Sequence, residues 1–195
     1  MKSLTALVIA AWIFNMQCSG QIEAICDDPY NPEVPGGYAI AVIQHGKVEF
    51  KKTYGYANSE HDIPFTSSTV FDYASVAKQF TGFGIASLVE QGKLSLDDDI
   101  RKYLPEVPDL GEKITIRHLL YHTSGIRDWV ALVKLSGRYK ADVITDDFLM
   151  KIVEHQKELN FNPGEEYSYC NTGYLLQVTS GGFRKLLSVA MIRNA

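Results

Sequence analysis

The chain has 195 residues, 46% hydrophobic and 22% charged, a balance that suits one globular domain, or one domain with a lobe. Its formal net charge of −4 offers no electrostatic attraction to nucleic acid or to an anionic membrane, so neither is expected as a partner. The three cysteines, Cys18, Cys26 and Cys170, have no zinc-ligand spacing.

In chain order, Lys2 is followed by an apolar run from Leu4 to Phe14, long enough for a signal-peptide core and too short to span a membrane. Small residues at Ser19 and Gly20 mark a cleavage zone. Residues 1–20 are therefore expected to be an export signal and 21–195 the exported domain, periplasmic or extracellular. A lipid anchor on Cys18 is disfavoured, because Asn15, Met16 and Gln17 make a poor lipoprotein signal. Export would leave Cys26 and Cys170 in a compartment compatible with disulfides, although their separation does not say whether they pair.

Pro29, Pro32 and Pro35 keep the next segment extended. Residues 37–57, rich in Val, Ile, Tyr and Phe, predict two strands joined by a turn at QHGK. From about Ser75 the period becomes helical, with Val76, Phe80, Phe83, Ser87 and Leu88 on one face and Gly92 as the stop. Ser95 and Asp98 resemble a capping box opening a helix that ends near Pro105. Thr115 is expected to cap a short helix over IRHLLYH, stopped by the glycine of HTSG. Thr145 precedes another helix, with Phe148, Ile152 and His155 on one face. FNPGEE reads as a turn, and a last helix begins near Thr172. Strands come first and helices follow. The fold class is α/β, or α+β, with a mostly antiparallel sheet and a helical lobe over about 95–170.

Ser75 and Lys78 share a helical face at i, i+3. A serine hydroxyl is a weak nucleophile until a base takes its proton. Lysine serves as that base when apolar neighbours disfavour its charged form, and Phe71, Phe80 and Phe83 are the candidate neighbours. Ser75 at a helix start would also aim its own N–H at a developing oxyanion. The bland alternative is a capping serine and a solvated lysine, since a chain of this size holds about one such spacing by chance.

Tyr169-Cys170-Asn171 adds a phenol able to shuttle a proton and an amide able to hold both Lys78 and a substrate carbonyl. A buried tyrosine and an asparagine at a helix start would be the everyday alternatives. Tyr56-Ala57-Asn58 has the same spacing, but it precedes the serine helix and finishes a strand.

SVAKQF, LSLDDDIRKYLPEVP, ITIRHLLYHTSGI and NPGEEYSYCNTGY, in that order over about residues 37–175, resemble landmarks of the serine β-lactamase-related family. That family holds class C β-lactamases, D-alanyl-D-alanine carboxypeptidases and esterases. The resemblance implies a β-lactamase/DD-peptidase-like fold and acyl transfer from an amide or ester. It makes Ser75 the nucleophile, Lys78 its base partner, Tyr169 the general acid/base and Asn171 a substrate-positioning amide. The order of proton transfers between Lys78 and Tyr169 stays open. No cofactor or metal is implied, and the expected partner is a small-molecule or peptide substrate.

The family's third motif, Lys or His, then a small residue, then Gly on a late strand, is not found among the 195 residues. HTSG at 122–125 has one residue too many, and matching fades after YLLQ. The expectation is a C-terminally truncated member lacking the late strands of its sheet. Losing one oxyanion donor costs about 3–4 kcal/mol of transition-state stabilisation. The rival function is therefore a non-catalytic scaffold that binds peptidoglycan-type ligands or a partner. His118 and His122, at i, i+4, invite a metal reading, but the glutamate of HExxH is missing and no third ligand is placed. Packing and hydrogen bonding at a helix end suit His122 better.

Overall fold

A computed structural model describes residues 36–137 and 143–179. The expected export signal, Cys18, Cys26 and residues 180–195 lie outside that range. The chain forms two compact units, one ending at Asp72 and the other beginning at Tyr73.

The first unit carries an antiparallel sheet of strands β1 (Gly37–Gln44), β2 (Lys47–Asn58) and β3 (Ile63–Pro64), in that spatial order. The β1–β2 hairpin turns through two residues, His45 at φ 50° and Gly46 at φ 75°. Positive φ at both positions gives the tight turn whose twist matches that of paired strands. Register then pairs Tyr38 with Tyr54, Ile40 with Lys52 and Val42 with Phe50. These six side chains are half-buried or buried, and their neighbours along β1 are exposed. The alternation is that of a sheet with one covered face. The Tyr38 and Tyr54 rings stack at 4.7 Å, and the Lys52 ammonium lies 5.3 Å from the Tyr54 ring centre. Gly55, at φ 66°, admits no other residue, since a Cβ there would lie 2.1 Å from the Gly36 carbonyl oxygen. The short third strand was not anticipated from the sequence.

The second unit opens with a 3-10 turn, Ala74–Ala77, continuous with helix α1 (Lys78–Glu90). Gly92, at φ 65°, ends α1: its N–H bonds the Val89 carbonyl, and the Lys93 N–H bonds that of Leu88. This is the paired-bond C-terminus for which glycine is favoured. The buried face of α1 is not the one expected. Ile85 and Leu88 are fully buried, whereas Phe80 and Phe83 are 55% and 64% exposed. Apolar side chains surround most of α1, so periodicity alone cannot choose a face. The inward row is Lys78, Thr81, Ile85 and Leu88, spaced as one helical stripe.

The segment after α1 also departs from expectation. No α-helix forms over residues 95–106; a 3-10 turn covers only Ile100–Lys102. The Ile100 N–H goes instead to the Ile114 carbonyl, and that of Ile116 to the Asp98 carbonyl, forming a bridge between Asp99 and Thr115. Backbone donors committed to a distant strand-like segment cannot extend a helix. Asp98 accepts from the Tyr103 hydroxyl at 2.6 Å, the Ser95 N–H at 2.9 Å and Lys102 at 3.2 Å. Those bonds, Tyr103 foremost, hold its carboxyl down to about 2 from an ordinary 3.8. A carboxyl more acidic in the folded state than in the unfolded one stabilises above 3.8, and that support disappears as pH falls toward 2. Asp98→Asn is expected to flatten this part of an unfolding-midpoint-versus-pH curve; an unchanged slope would count against it.

Helix α2 (Ile116–Leu120) is capped by Thr115, whose hydroxyl accepts the His118 N–H at 3.2 Å. The His118 Nδ1 in turn accepts the Thr115 N–H at 3.3 Å, standing where a capping box usually has Glu or Gln. Thr115→Ala should lower stability by about 1 kcal/mol, read from chemical denaturation. Its other end stops at His122, φ 59°, not at the glycine of HTSG. The Thr123 N–H reaches the His118 carbonyl at 2.9 Å, and that of His122 reaches Leu119 at 3.4 Å. Helices α3 (Trp129–Leu135), α4 (Asp146–Glu154, capped by Thr145) and α5 (Asn171–Thr179) complete the described elements. Ile85, Leu88, Ile100, Leu104, Ile116, Leu119 and Leu176 are buried in one cluster, and Val133, Leu149 and Leu175 in a second. Among the described residues no helix is long and apolar enough to cross a membrane.

Candidate active site

Ser75 sits in the 3-10 turn and Lys78 at the first position of α1. The residue before Ser75, Ala74, has φ 48°, a left-handed conformation that a Cβ makes costly by about 1–2 kcal/mol. Such strain concentrates at functional positions, and here it lies next to Ser75.

Tyr169 arrives from the strap leading into α5. The Ser168 N–H bonds the His122 carbonyl at 2.9 Å, and the Cys170 N–H bonds the His122 Nδ1 at 3.1 Å. Further back, Asn160 and Gly164 donate to Gly125 and Thr123 at 2.7 and 2.8 Å. Gly125 must be glycine: at φ 71°, an added Cβ would lie 2.0 Å from the Phe161 carbonyl oxygen. The centre of the His122 ring lies 4.5 Å from that of Tyr169 and 5.3 Å from that of Tyr174, with the Tyr167 ring, edge-on, at 6.0 Å. Burial, reinforced by the Lys78 charge, holds the His122 imidazole below its usual range. Its Nδ1, which accepts the Cys170 N–H, carries no proton. The same burial pushes the Cys170 thiol up, and its Sγ donates to the Ile126 carbonyl at 3.3 Å.

The four groups singled out in the sequence meet. Ser75 Oγ and Tyr169 Oη share a 2.6 Å hydrogen bond, and Lys78 Nζ donates to Ser75 Oγ at 3.1 Å and to Asn171 Oδ1 at 3.0 Å. The ammonium also faces the rings of Tyr169 and Tyr174, at 5.1 and 5.5 Å from their centres. Hydrogen bonding from Lys78, then from Ser75, draws the Tyr169 phenol below its ordinary value. A hydroxyl, a phenol made more acidic and a cation within one bonding network are the parts needed to take a proton from serine and hold it nearby.

The surroundings of Lys78 differ from those expected. Phe80 and Phe83 are exposed, so they do not bury the amine. Two oxygens and two tyrosine faces surround it, a setting that suits an ammonium. Of the two Tyr-x-Asn pairs, only Tyr169 and Asn171 enter this network. Tyr56 pairs with Pro64 in the sheet, and Asn58 Oδ1 accepts the His61 N–H at 3.0 Å. His118 and His122 each bind a backbone N–H through Nδ1, as helix-end residues do.

Sequence reasoning missed Asp128, Trp129 and Tyr174. An aspartate just before a helix signals its own N-cap, but Asp128 makes no side-chain cap to α3. Its Oδ1 accepts the Asn171 N–H at 2.6 Å instead. Lys78, Thr81, Trp129, Asn171, Tyr174 and Leu175 line an open cavity of about 270 Å³ beside Ser75's turn.

This fold is that of a known class. The Beta-lactamase family model matches residues 31–181, and the chain belongs to that family. A D-aminopeptidase of Gluconobacter oxydans (strain 621H) is 35% identical over 142 residues, covering 73% of this chain and 26% of that protein. A penicillin-binding protein of Bacillus subtilis (strain 168) is 31% identical over 137 residues, 70% of this chain and 30% of its own length. The chain thus spans roughly a quarter to a third of these relatives. The octameric penicillin-binding protein homologue from Pyrococcus abyssi superposes with TM-score 0.68 at 31% identity, covering 88% of this chain and 39% of that one. The penicillin-binding protein from Bacillus halodurans gives TM-score 0.64 at 28% identity, covering 86% and 51%. The α/β architecture expected from the sequence is therefore the β-lactamase and penicillin-binding-protein fold.

Proposed function

We propose that this protein is an exported serine hydrolase that cleaves an amide or ester by acyl transfer to Ser75. The 2.6 Å contact between Ser75 Oγ and Tyr169 Oη, with Lys78 on the same oxygen, is the observation that carries this reading. Tyr169 enters as the phenolate that the bonds from Lys78 and Ser75 favour, and it accepts the Ser75 proton as Oγ attacks the substrate carbonyl carbon and the carbonyl electron pair moves onto oxygen. Lys78 Nζ, donating to the same serine oxygen at 3.1 Å, offsets the negative charge that builds up during attack. As the tetrahedral adduct collapses, the C–N or C–O bond breaks and the leaving amine or alcohol takes the proton from Tyr169. Water, deprotonated through the same phenol, then releases the acyl group and restores Ser75. Asn171 presents Oδ1 to Lys78, and its amide nitrogen carries a second hydrogen for the substrate carbonyl.

The names of the relatives, D-aminopeptidase and penicillin-binding protein, favour D-amino-acid amides, D-Ala peptides or β-lactams as the acyl class. Export rests on the charged start and apolar run of residues 2–14. The test is incubation with a fluorophosphonate, followed by peptide mass mapping. One adduct on Ser75 is expected. Absence of any adduct, or adducts scattered over surface hydroxyls, would favour the non-catalytic scaffold instead.

A further inference from the structure

The geometry points to Asp128 as a positioning residue of the catalytic site, one that sets which way the Asn171 amide faces and thereby gives Lys78 its oxygen partner. This inference rests on the acyl-transfer reading above. Asp128 lies just before α3, partly buried, and its two carboxylate oxygens both go to one residue. Oδ1 accepts the Asn171 backbone N–H at 2.6 Å, and Oδ2 accepts the Asn171 Nδ2 at 3.4 Å. An ionised carboxylate only accepts, so it selects the NH2 end of the amide. The Oδ1 end is then turned to Lys78, 3.0 Å away. Lys78 only donates, so an amide turned the other way would set NH2 against ammonium and release the amine from Ser75. A negative group at the start of α5 is favoured there as well.

The strap that holds Asp128 does not depend on its carboxylate. The Trp129 N–H donates to Thr172 Oγ1 at 2.8 Å, and that hydroxyl donates to the Arg127 carbonyl at 2.8 Å. Gln156 fastens Arg127 from the other side, accepting its N–H at 3.1 Å and donating to its carbonyl at 3.3 Å. The residues on either side of Asp128 are thus anchored by other bonds. Replacing the carboxylate by its amide isostere should leave the backbone in place and change only the direction imposed on the Asn171 amide.

Asp128→Asn supplies that replacement. The Asn171 backbone N–H would hold the oxygen of the new carboxamide, leaving its NH2 toward the Asn171 side chain, which then turns its own oxygen away from Lys78. A misplaced catalytic group costs about 100-fold in rate, and that fall is expected in the fluorophosphonate labelling rate of Ser75 in the full chain, with the unfolding midpoint little changed. Exchanging the two side chains in the double variant Asp128→Asn/Asn171→Asp moves the carboxylate to the start of α5 and the amide to the strap. An acceptor again faces Lys78, so labelling should be faster than in Asp128→Asn alone, though slower than in the native chain because the Asn171→Asp carboxylate has no amide hydrogen for the substrate. A merely structural cap would not produce that recovery. Wild-type labelling in Asp128→Asn would overturn the proposal. So would a folded double variant no faster than the single one. No adduct on the native chain would overturn the acyl-transfer reading, and this proposal with it, whereas a native Ser75 adduct with either of the other outcomes would leave that reading standing.

Discussion

Ser75→Ala is expected to abolish covalent labelling of the chain by fluorophosphonates while leaving it as stable as the native protein. The loss is total because Ser75 Oγ is the atom the reagent would modify, the one that bonds Tyr169 Oη and accepts from Lys78 Nζ. Without it there is no alcohol to acylate, and the ammonium and phenol have no common partner. Stability should hold because Ser75 is exposed in a 3-10 turn. Substitutions at such places change stability by only about 0.5 kcal/mol. The measurement is labelling followed by gel fluorescence, with thermal unfolding alongside. Residual labelling equal to the native chain would place the nucleophile elsewhere.

Tyr169→Phe should lower the labelling rate by about 1,000-fold, the middle of the range for removing a general base. That corresponds to about 4 kcal/mol of transition-state stabilisation. The variant keeps the ring that covers His122 and the Lys78 ammonium, so only the hydroxyl is tested. The pH dependence gives a second, sharper reading. Bonds from Lys78 and Ser75 lower the phenol from its ordinary 10.0, so phenolate becomes available at lower pH than for a free tyrosine. The native rate should therefore rise with pH along a limb whose midpoint lies below 10.0. Lys78→Met, which removes the largest cause of the lowering, should move that limb upward, and Tyr169→Phe should erase it. An unchanged limb in Tyr169→Phe would assign the proton to another group.

Much of the local architecture follows from short stretches of residues. His45-Gly46 adopts two positive φ angles, so the strands on either side form a hairpin. Thr115 and Thr145 cap the helices that follow them, each through a hydroxyl three residues from the N–H it accepts. Ser75 and Lys78 share a face because a helical turn requires it. Where local patterns failed, a distant partner had taken over the backbone or side chain. The capping-box residues Ser95 and Asp98 begin no α-helix, since Ile100 bonds across to Ile114. Asp128 leaves its own helix uncapped and serves the start of α5.

Spacing, caps and turn chemistry act over a few residues, and the order of amino acids alone determined them: the hairpin, the helix starts at Thr115 and Thr145, and the pairing of hydroxyl with amine. Only the tertiary structure decided which stripe of α1 turns inward and which carboxylate directs the Asn171 amide. The Ser75–Tyr169 bond closes over 94 positions, and Asn171 meets Asp128 over 43. Contacts at such range depend on how helices settle against one another to bury Ile85, Leu88 and Leu176 together, and no periodicity within a single segment carries that information.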